Sequence, residues 1–284
     1  MHVKVLVTGS AGFVGARFRQ ALEQADHDVY CVDIADGFDC RIFFRTATAY
    51  FDLVIHCAAV VGGRTMIEGR PFELAAEDLS IDAELWRWAQ RARPGRIVYF
   101  SSAAAYPVDL QAIEREPTQL VEEDIDLDHV RTPDQSYGWV KLTGEMMARC
   151  ARAEGLAVTV VRPFSGYGET QDDDYPFPAI MARVRRGENP VKVWSDTVRD
   201  FIHVDDIVAA TLIAADRGID GPVNLCTGRA TSFTELATMA GAREIEILDN
   251  MPTGVYRRVG DPTRMLDFYE PRVTLEEGIA RALA

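Results

Sequence analysis

Apolar positions in the first half of the chain alternate between two rhythms. Short, nearly unbroken apolar runs occur at 2–8 (HVKVLVT), 28–33 (DVYCVD), 52–57 (DLVIHC) and 96–101 (RIVYFS). Between them lie stretches with apolar residues three and four apart, over 12–24, about 41–50 and about 76–91. The runs predict strands buried on both faces, and the spaced stretches predict the helices that cover them, which is the pattern of a parallel sheet. A long predicted helix over about 136–154 leads to a further buried strand at 157–162 (AVTVVR). After Pro163 the texture becomes mixed α+β and ends in a predicted helix over 274–283. The segment 166–178 carries glycines, prolines and the run Asp172, Asp173, Asp174, and reads as a solvated loop. Only Ile34 to Phe38 separate Asp33 from Asp39, whereas a parallel crossover needs about a dozen residues. The strand that would follow is therefore expected to be missing or a stub.

Composition narrows the picture. The 284 residues, 48% hydrophobic and 26% charged, suit one large domain or two closely packed lobes. A formal charge of −14 would repel phosphate backbones and anionic lipid, so neither nucleic acid nor membrane is expected as a partner. The opening residues enter a glycine turn without a basic leader, and no stretch reaches membrane-spanning length, which leads to an expected cytoplasmic location. The five cysteines, at 31, 40, 57, 150 and 226, are scattered and include no C-x-x-C pair. They are expected to be reduced core thiols, with no disulfide and no metal site.

Chemistry concentrates in a few places. Gly9-Ser-Ala-Gly12-Phe-Val-Gly15 follows a predicted strand and opens a predicted helix. There the glycines permit a tight turn and close approach of a pyrophosphate to backbone N–H groups at a helix N-terminus. Asp33 ends the second strand, where a carboxylate accepts hydrogen bonds from ribose hydroxyls and repels a 2′-phosphate, favouring NAD over NADP although Arg41 is near. The fold class is thus α/β, a Rossmann-type doubly wound parallel sheet with a smaller mixed α+β C-terminal substrate lobe. Its NAD-binding domain is placed at 1–165, and 166–284 is mainly substrate-binding with some segments returning to the sheet. Tyr137 and Lys141, four apart on a predicted helix, share a face, and an ammonium beside a phenol favours the phenolate that general acid–base catalysis requires. Ser102 follows a strand at the carboxyl edge of the sheet, where its hydroxyl could hold the same substrate oxygen.

These segments, with His56-Cys-Ala-Ala59, Phe100-Ser-Ser-Ala-Ala-Ala-Tyr106, Tyr137-Gly-Trp-Val-Lys141, Arg162-Pro-Phe-Ser-Gly-Tyr-Gly168 and Arg199-Asp-Phe-Ile-His-Val-Asp-Asp206, resemble the extended short-chain dehydrogenase/reductase family in its nucleotide-sugar epimerase/dehydratase branch. The resemblance runs in order along nearly the whole chain. It implies NAD chemistry on a nucleoside-diphosphate sugar, with transient oxidation of a hydroxyl. It makes Ser102, Tyr137 and Lys141 the catalytic triad. It places Gly9, Gly12, Phe13, Val14, Gly15, Asp33, Asp39, Cys40, Ala58, Ala59 and Pro163 at the cofactor together with Tyr137 and Lys141. Asp39 and Cys40 would meet adenine, and Ala58 and Ala59 the pyrophosphate. Arg199 and Arg258 would hold the substrate diphosphate beside Ser102, and base selection would fall to 177–194.

Departures from the family pattern refine this. Ala103 and Ala104 stand where 4,6-dehydratases carry Asp and Glu, which argues against dehydration. Ser165 and Asp78 each replace a usual Asn. The short stretch after Asp33, Val61-Gly-Gly63 and Tyr106-Pro107 are similar to GDP-fucose synthases, yet Ala103 to Ala105 and Tyr175 stand where those enzymes use Cys and His. The leading expectation is a C4 epimerase. The alternatives are an NAD(P)H-dependent 4-keto nucleotide-sugar reductase, a 3,5-epimerase/reductase, and a non-catalytic sensor of the same fold. Leu79, Ala83 and Trp86 on one helix and Val140, Met147 and Cys150 on the other predict a homodimer through two paired helices.

Overall fold

The computed structural model describes residues 2–60, 62, 64–115, 117–248 and 254–284; Val61 and Gly63 of the fucose-synthase-like motif lie outside them. The first lobe runs β1 (Lys4–Thr8), α1 (Phe13–Gln24), β2 (Asp28–Val32), α2 (Cys40–Thr46), β3 (Leu53–His56), α3 (Arg64–Gly69), α4 (Pro71–Ala92), β4 (Arg96–Phe100), α5 (Gln135–Ala153) and β5 (Val158–Pro163). It continues into the second lobe through β6 (Ser165–Tyr167), α6 (Pro176–Arg185), β7 (Val191–Val193), β8 (Val198–Arg199), β9 (Phe201–His203), α7 (Val204–Asp216) and β10 (Gly221–Leu225). The chain closes with β11 (Thr231–Ser232), α8 (Phe233–Met239), β12 (Ile245–Ile247), β13 (Arg257–Arg258), α9 (Thr263–Leu266) and α10 (Leu275–Leu283).

The main sheet is six-stranded, in the order β10-β5-β4-β3-β1-β2, and every pairing in it is parallel. The chain reverses its direction of travel across the sheet between β1 and β3, and the crevice at that switch point opens at the carboxyl ends of the strands. The short stretch after Asp33 builds no seventh strand. Its residues Ile34–Asp36 form a single 3₁₀ turn, and β2 is left as the sheet edge. Two apolar layers clamp the sheet. Val5, Val7, Phe18, Ile55, Val98 and Val161 lie on the side of α1 and α7, whereas Leu6, Phe44, Val54, Trp88, Ile97 and Val160 lie on the side of α2, α4 and α5. Alternating residues of one strand thus enter different layers, which is why its sequence reads as unbroken apolar.

The second lobe has its own core of Tyr167, Phe177, Ile180, Phe201, Leu236 and Ile279. It also lends parts to the first lobe: β10 pairs with β5, and Met265 and Tyr269 enter the first apolar layer.

Three expectations change. The segment 166–178 is not simply a solvated loop, because Gly166 and Tyr167 pair with β9 and Pro176 opens α6 with its fixed φ at the first helical turn. Cys150 is exposed, not a core thiol, because it occupies the outward face of α5, although all five cysteines are free. The predicted dimer stripe is split: Trp86 and Val140 are core residues, while Leu79, Ala83, Met147 and Cys150 face outward.

Candidate active site

The glycine turn shapes the floor of the crevice. Gly9 has φ +71°, and a Cβ there would come within 2.7 Å of Ala58 N; a Cβ on Gly15 would lie 1.9 Å from the Gly9 carbonyl oxygen. Neither position admits a larger residue without displacing backbone. Gly12 caps α1 with no side chain, and the first turn of α1 carries no carboxylate, so its N–H groups and positive dipole end face the crevice unopposed. The buried Ser10 hydroxyl has no protein partner. A cradle of free N–H donors, a turn pressed against the 57–59 backbone and an unsatisfied hydroxyl fit a dinucleotide pyrophosphate.

At the far end of the crevice, Asp33 accepts a hydrogen bond from Ala11 N–H at Oδ2 and from Ala35 N–H at Oδ1, both 2.8 Å. Each oxygen keeps a lone pair for a ribose hydroxyl. Asp39 caps α2 by accepting from Arg41 N–H and is paired to the Arg41 guanidinium, whose hydrogen bond holds the carboxyl below its ordinary value against the cost of burial. Arg41 is also bound to Glu77 and Ser80. Its charge is thus matched within the protein. Burial and the neighbouring Asp39 push the Cys40 thiol up to about 12, which leaves it an inert wall rather than a nucleophile.

A cavity of about 780 Å³ is lined by Gly9, Gly12, Phe13, Val14, Gly15, Asp33, Asp39, Cys40, Ala58, Ala59, Tyr137 and Pro163, the sequence-predicted cofactor residues apart from Lys141. Lys141 does not reach the cavity. It is buried behind Tyr137, its Nζ 5.6 Å from the ring centroids of both Tyr137 and Tyr99. Burial opposes its charge, but Tyr137, Asp82, Asp78 and Cys57 outweigh that cost and hold the ammonium above its ordinary pKa.

Ser102 and Tyr137 are brought together by adjoining turns. Ser102 Oγ accepts from Ala104 N–H (3.1 Å), and the Ala104 carbonyl accepts from Asp134 N–H (2.9 Å) just before α5. Farther along α5, Glu145 forms a buried two-pronged pair with Arg162 (2.8 and 2.6 Å) and accepts from Ser101 Oγ. Arg162 also donates to Tyr106 OH and the Glu122 carbonyl. Charge-assisted bonds of this kind are short and directional, so they fix α5 against β4 and β5.

A second cavity of about 480 Å³ lies under the second lobe, where Arg199 and Arg258 both line it. Their proximity follows from register, because β13 pairs with β8 in parallel with Arg258 opposite Arg199. Arg258 donates to Gln111 Oε1 (2.6 Å) and Asp134 Oδ2 (2.8 Å), and the Arg199 guanidinium lies 5.5 Å from the Phe233 ring centroid. Of the proposed base-selecting segment, Trp194 lines this cavity, whereas Phe177 is buried in the lobe core. Gly62, Ile67, Ser102, Tyr137, Asp174 and Tyr175 border both cavities. Ile67 and Asp174 carry no motif signal, and Tyr175 stands out in sequence only as occupying a place where fucose synthases use a catalytic residue; the structure places all three because α3 and the 168–175 turn fold over the switch point. Asp134 and Gln111 were likewise invisible in sequence, since their role is to meet an arginine more than 120 residues away.

The fold and the glycine-turn crevice define a Rossmann-type dinucleotide-binding protein in which a second cavity adjoins that crevice. Residues 5–226 match the NAD dependent epimerase/dehydratase family, and the chain belongs to that NAD(P)-dependent family. It is 29% identical to a dTDP-4-dehydro-6-deoxy-D-allose reductase of Streptomyces bikiniensis, over 96% of this chain and 94% of that one. Among solved structures, it resembles the UDP-glucose 4-epimerase of Thermus thermophilus in complex with NAD (TM-score 0.83, 22% identity, 99% and 97% of the two chains). It also resembles RMD from Pseudomonas aeruginosa complexed with NADPH (TM-score 0.80, 24% identity, 99% and 97%). Among the described residues no helix is long and apolar enough to cross a membrane, and no cluster of three His, Cys, Asp or Glu could hold a metal ion.

Proposed function

We propose that this enzyme epimerises C4 of the hexose in a nucleoside-diphosphate sugar by oxidising the hydroxyl and reducing the resulting ketone from the other face. The observation that carries this reading is that Ser102 and Tyr137 border both cavities, so a phenol with a buried ammonium behind it stands where substrate and cofactor would meet. Bound NAD supplies the hydride acceptor and, on return, the donor. Ser102 Oγ orients the C4 oxygen, and Tyr137 removes its proton as C4 gives up hydride, then returns the proton when hydride comes back. Lys141 keeps a positive charge behind the phenol throughout. Arg199 and Arg258 hold the diphosphate, leaving the hexose to turn over between the two hydride transfers.

The choice of NAD over NADP rests on Asp33, whose carboxylate repels a 2′-phosphate, and on Arg41, whose charge is already matched by Asp39 and Glu77. The absence of Asp and Glu at Ala103 and Ala104 speaks against dehydration. Ala103 to Ala105 and Tyr175 in place of Cys and His speak against 3,5-epimerisation. A 4-keto-sugar reductase is the second reading, favoured by the 29% identity to the Streptomyces reductase.

The test is a panel of nucleoside-diphosphate hexoses and their 4-keto derivatives incubated with enzyme and cofactor, with products read by NMR. An epimerase inverts C4 without net change in reduced cofactor; a reductase consumes one equivalent of reduced cofactor and accepts only the ketone. On the true substrate, Tyr137→Phe should lower kcat roughly 10²-fold or more with nucleotide affinity unchanged. Near-full turnover by that variant would remove Tyr137 from the mechanism.

A further inference from the structure

Lys4, Lys141 and Lys192 are the chain's three lysines among 30 basic residues. One of the three lies buried in the interior, where an ammonium loses its hydration and neutralises unless anions stand near it. Two carboxylates of α4 are buried as well. Asp78 is 1% exposed; its Oδ1 accepts from Val60 N–H (2.5 Å), and its Oδ2 is buried with no hydrogen-bond partner. Asp82, one turn on, accepts from Tyr99 OH at Oδ2 (2.5 Å) and lies 3.4 Å from His56 Nε2 at Oδ1, while His56 Nδ1 meets Thr8 Oγ1 at 2.8 Å. The Tyr99 ring held by Asp82 is the one beneath the Lys141 ammonium.

We propose that Asp78 and Asp82 are positioning residues that act through Lys141, supplying the buried negative charge that keeps its ammonium charged behind Tyr137. The inference rests on the reading of Tyr137 and Lys141 as the proton-transfer pair. Asp78 Oδ2 has no hydrogen-bond partner, and the Lys141 charge favours this carboxylate more than the Val60 N–H does, lowering the Asp78 pKa. Burial still dominates there and leaves the carboxyl at about 6, so it is ionised at neutral pH. The other titratable groups around the ammonium are Tyr137 and Glu145 on α5, His56 and Cys57 at the end of β3, and Tyr99 on β4. Burial pushes the Cys57 thiol up. Glu145 is committed to Arg162. Apart from Tyr137, the phenol that the ammonium faces, that leaves the two aspartates as the carboxylates able to serve Lys141.

The experiment follows Lys141 itself. Protein carrying ¹³C-labelled lysine gives three lysine signals, assigned by single Lys→Arg changes at 4 and 192, and the Lys141 Cε shift is titrated against pH without added substrate. Asp78→Asn keeps an oxygen for Val60 N–H and Asp82→Asn one for Tyr99 OH, and each should lower the Lys141 midpoint by about one pH unit, the low end for loss of a neighbouring opposite charge. The double variant should lower it further. Glu84→Gln removes a buried carboxylate of the same helix that pairs with Arg45 and Arg87 instead, and should leave the midpoint in place. An unmoved midpoint in a folded single variant, or an equal shift in Glu84→Gln, overturns the proposal. Should Asp78→Asn not fold, Asp82→Asn decides alone. Because no substrate is present, failure here is distinct from failure of the epimerase reading.

Discussion

Asp33 combines two tasks in one side chain, and they can be separated. Its oxygens anchor Ala11 in the glycine turn and Ala35 beyond β2, and the same charge lines the crevice, where we propose that it meets the ribose. Asp33→Ala therefore removes two backbone acceptors as well as the repulsion of a 2′-phosphate. NAD affinity should fall roughly tenfold or more, the scale of a lost charge-assisted hydrogen bond, while NADP affinity falls less, so the preference narrows. Isothermal titration of both cofactors checks this, and equal or tighter NADP binding by the unmodified protein would refute the NAD assignment. Lys141 shows how a side chain can belong to a site without lining it. Its spacing from Tyr137 was legible in sequence, but its partners on α4 were not, because Asp78 stood out only as replacing a usual Asn and Asp82 looks like an ordinary helix-surface acid until α4 is laid on α5.

Helices α4 and α5 pack side by side over the sheet, and their outer faces leave Phe72, Leu79, Trp139 and Met147 exposed. Apolar side chains aligned on two adjacent helices suit pairing with a second copy, and we expect a homodimer in solution. Light scattering at micromolar protein should give the dimer mass, and Trp139→Glu should shift it to the monomer with the fold intact; a monomeric unmodified protein discards the idea. Strands and helices of the first lobe were readable because each buries residues in a fixed rhythm, and the five-residue gap after Asp33 correctly foretold the missing strand. The 166–178 segment misled for a physical reason. Its glycines and aspartates do mark a solvent-rich turn, but Tyr175 and Asp174 on that turn close over the crevice, a placement set by the β6–β9 pairing and not by local composition. Arg199 and Arg258 were found by motif, whereas their adjacency needed the register of β8 and β13.

Across the second half of the chain, Asp200 ties three loops, those around 200, 227–228 and 260, into one unit. Its buried carboxylate accepts from Thr227 N–H and Oγ1, Gly228 N–H and Gly260 N–H, and burial outweighs these bonds to raise its pKa to about 6. The folded state thus holds this proton more tightly than the unfolded chain. Its contribution to stability is full below the ordinary aspartate pKa and is lost as pH rises through about 6. Asp200→Asn should destabilise at every pH because it misplaces donors, and the gap from the unmodified protein should be larger at about pH 5 than at about pH 7 by on the order of 1 kcal/mol. Urea denaturation at the two pH values measures it, and a gap that widens toward neutral pH would reverse the assigned shift. The helix bearing Tyr137 is secured in a comparable way at two points, midway along it by Glu145 to Arg162 of the sheet and just ahead of its first turn by Asp134 to Arg258 of the second lobe. It behaves as a beam spanning the two halves. Any change in their spacing must break the Arg258 bridge or tilt the beam, so the hold on a phosphate that we propose for Arg258 and the aim of the Tyr137 phenol are mechanically one adjustment.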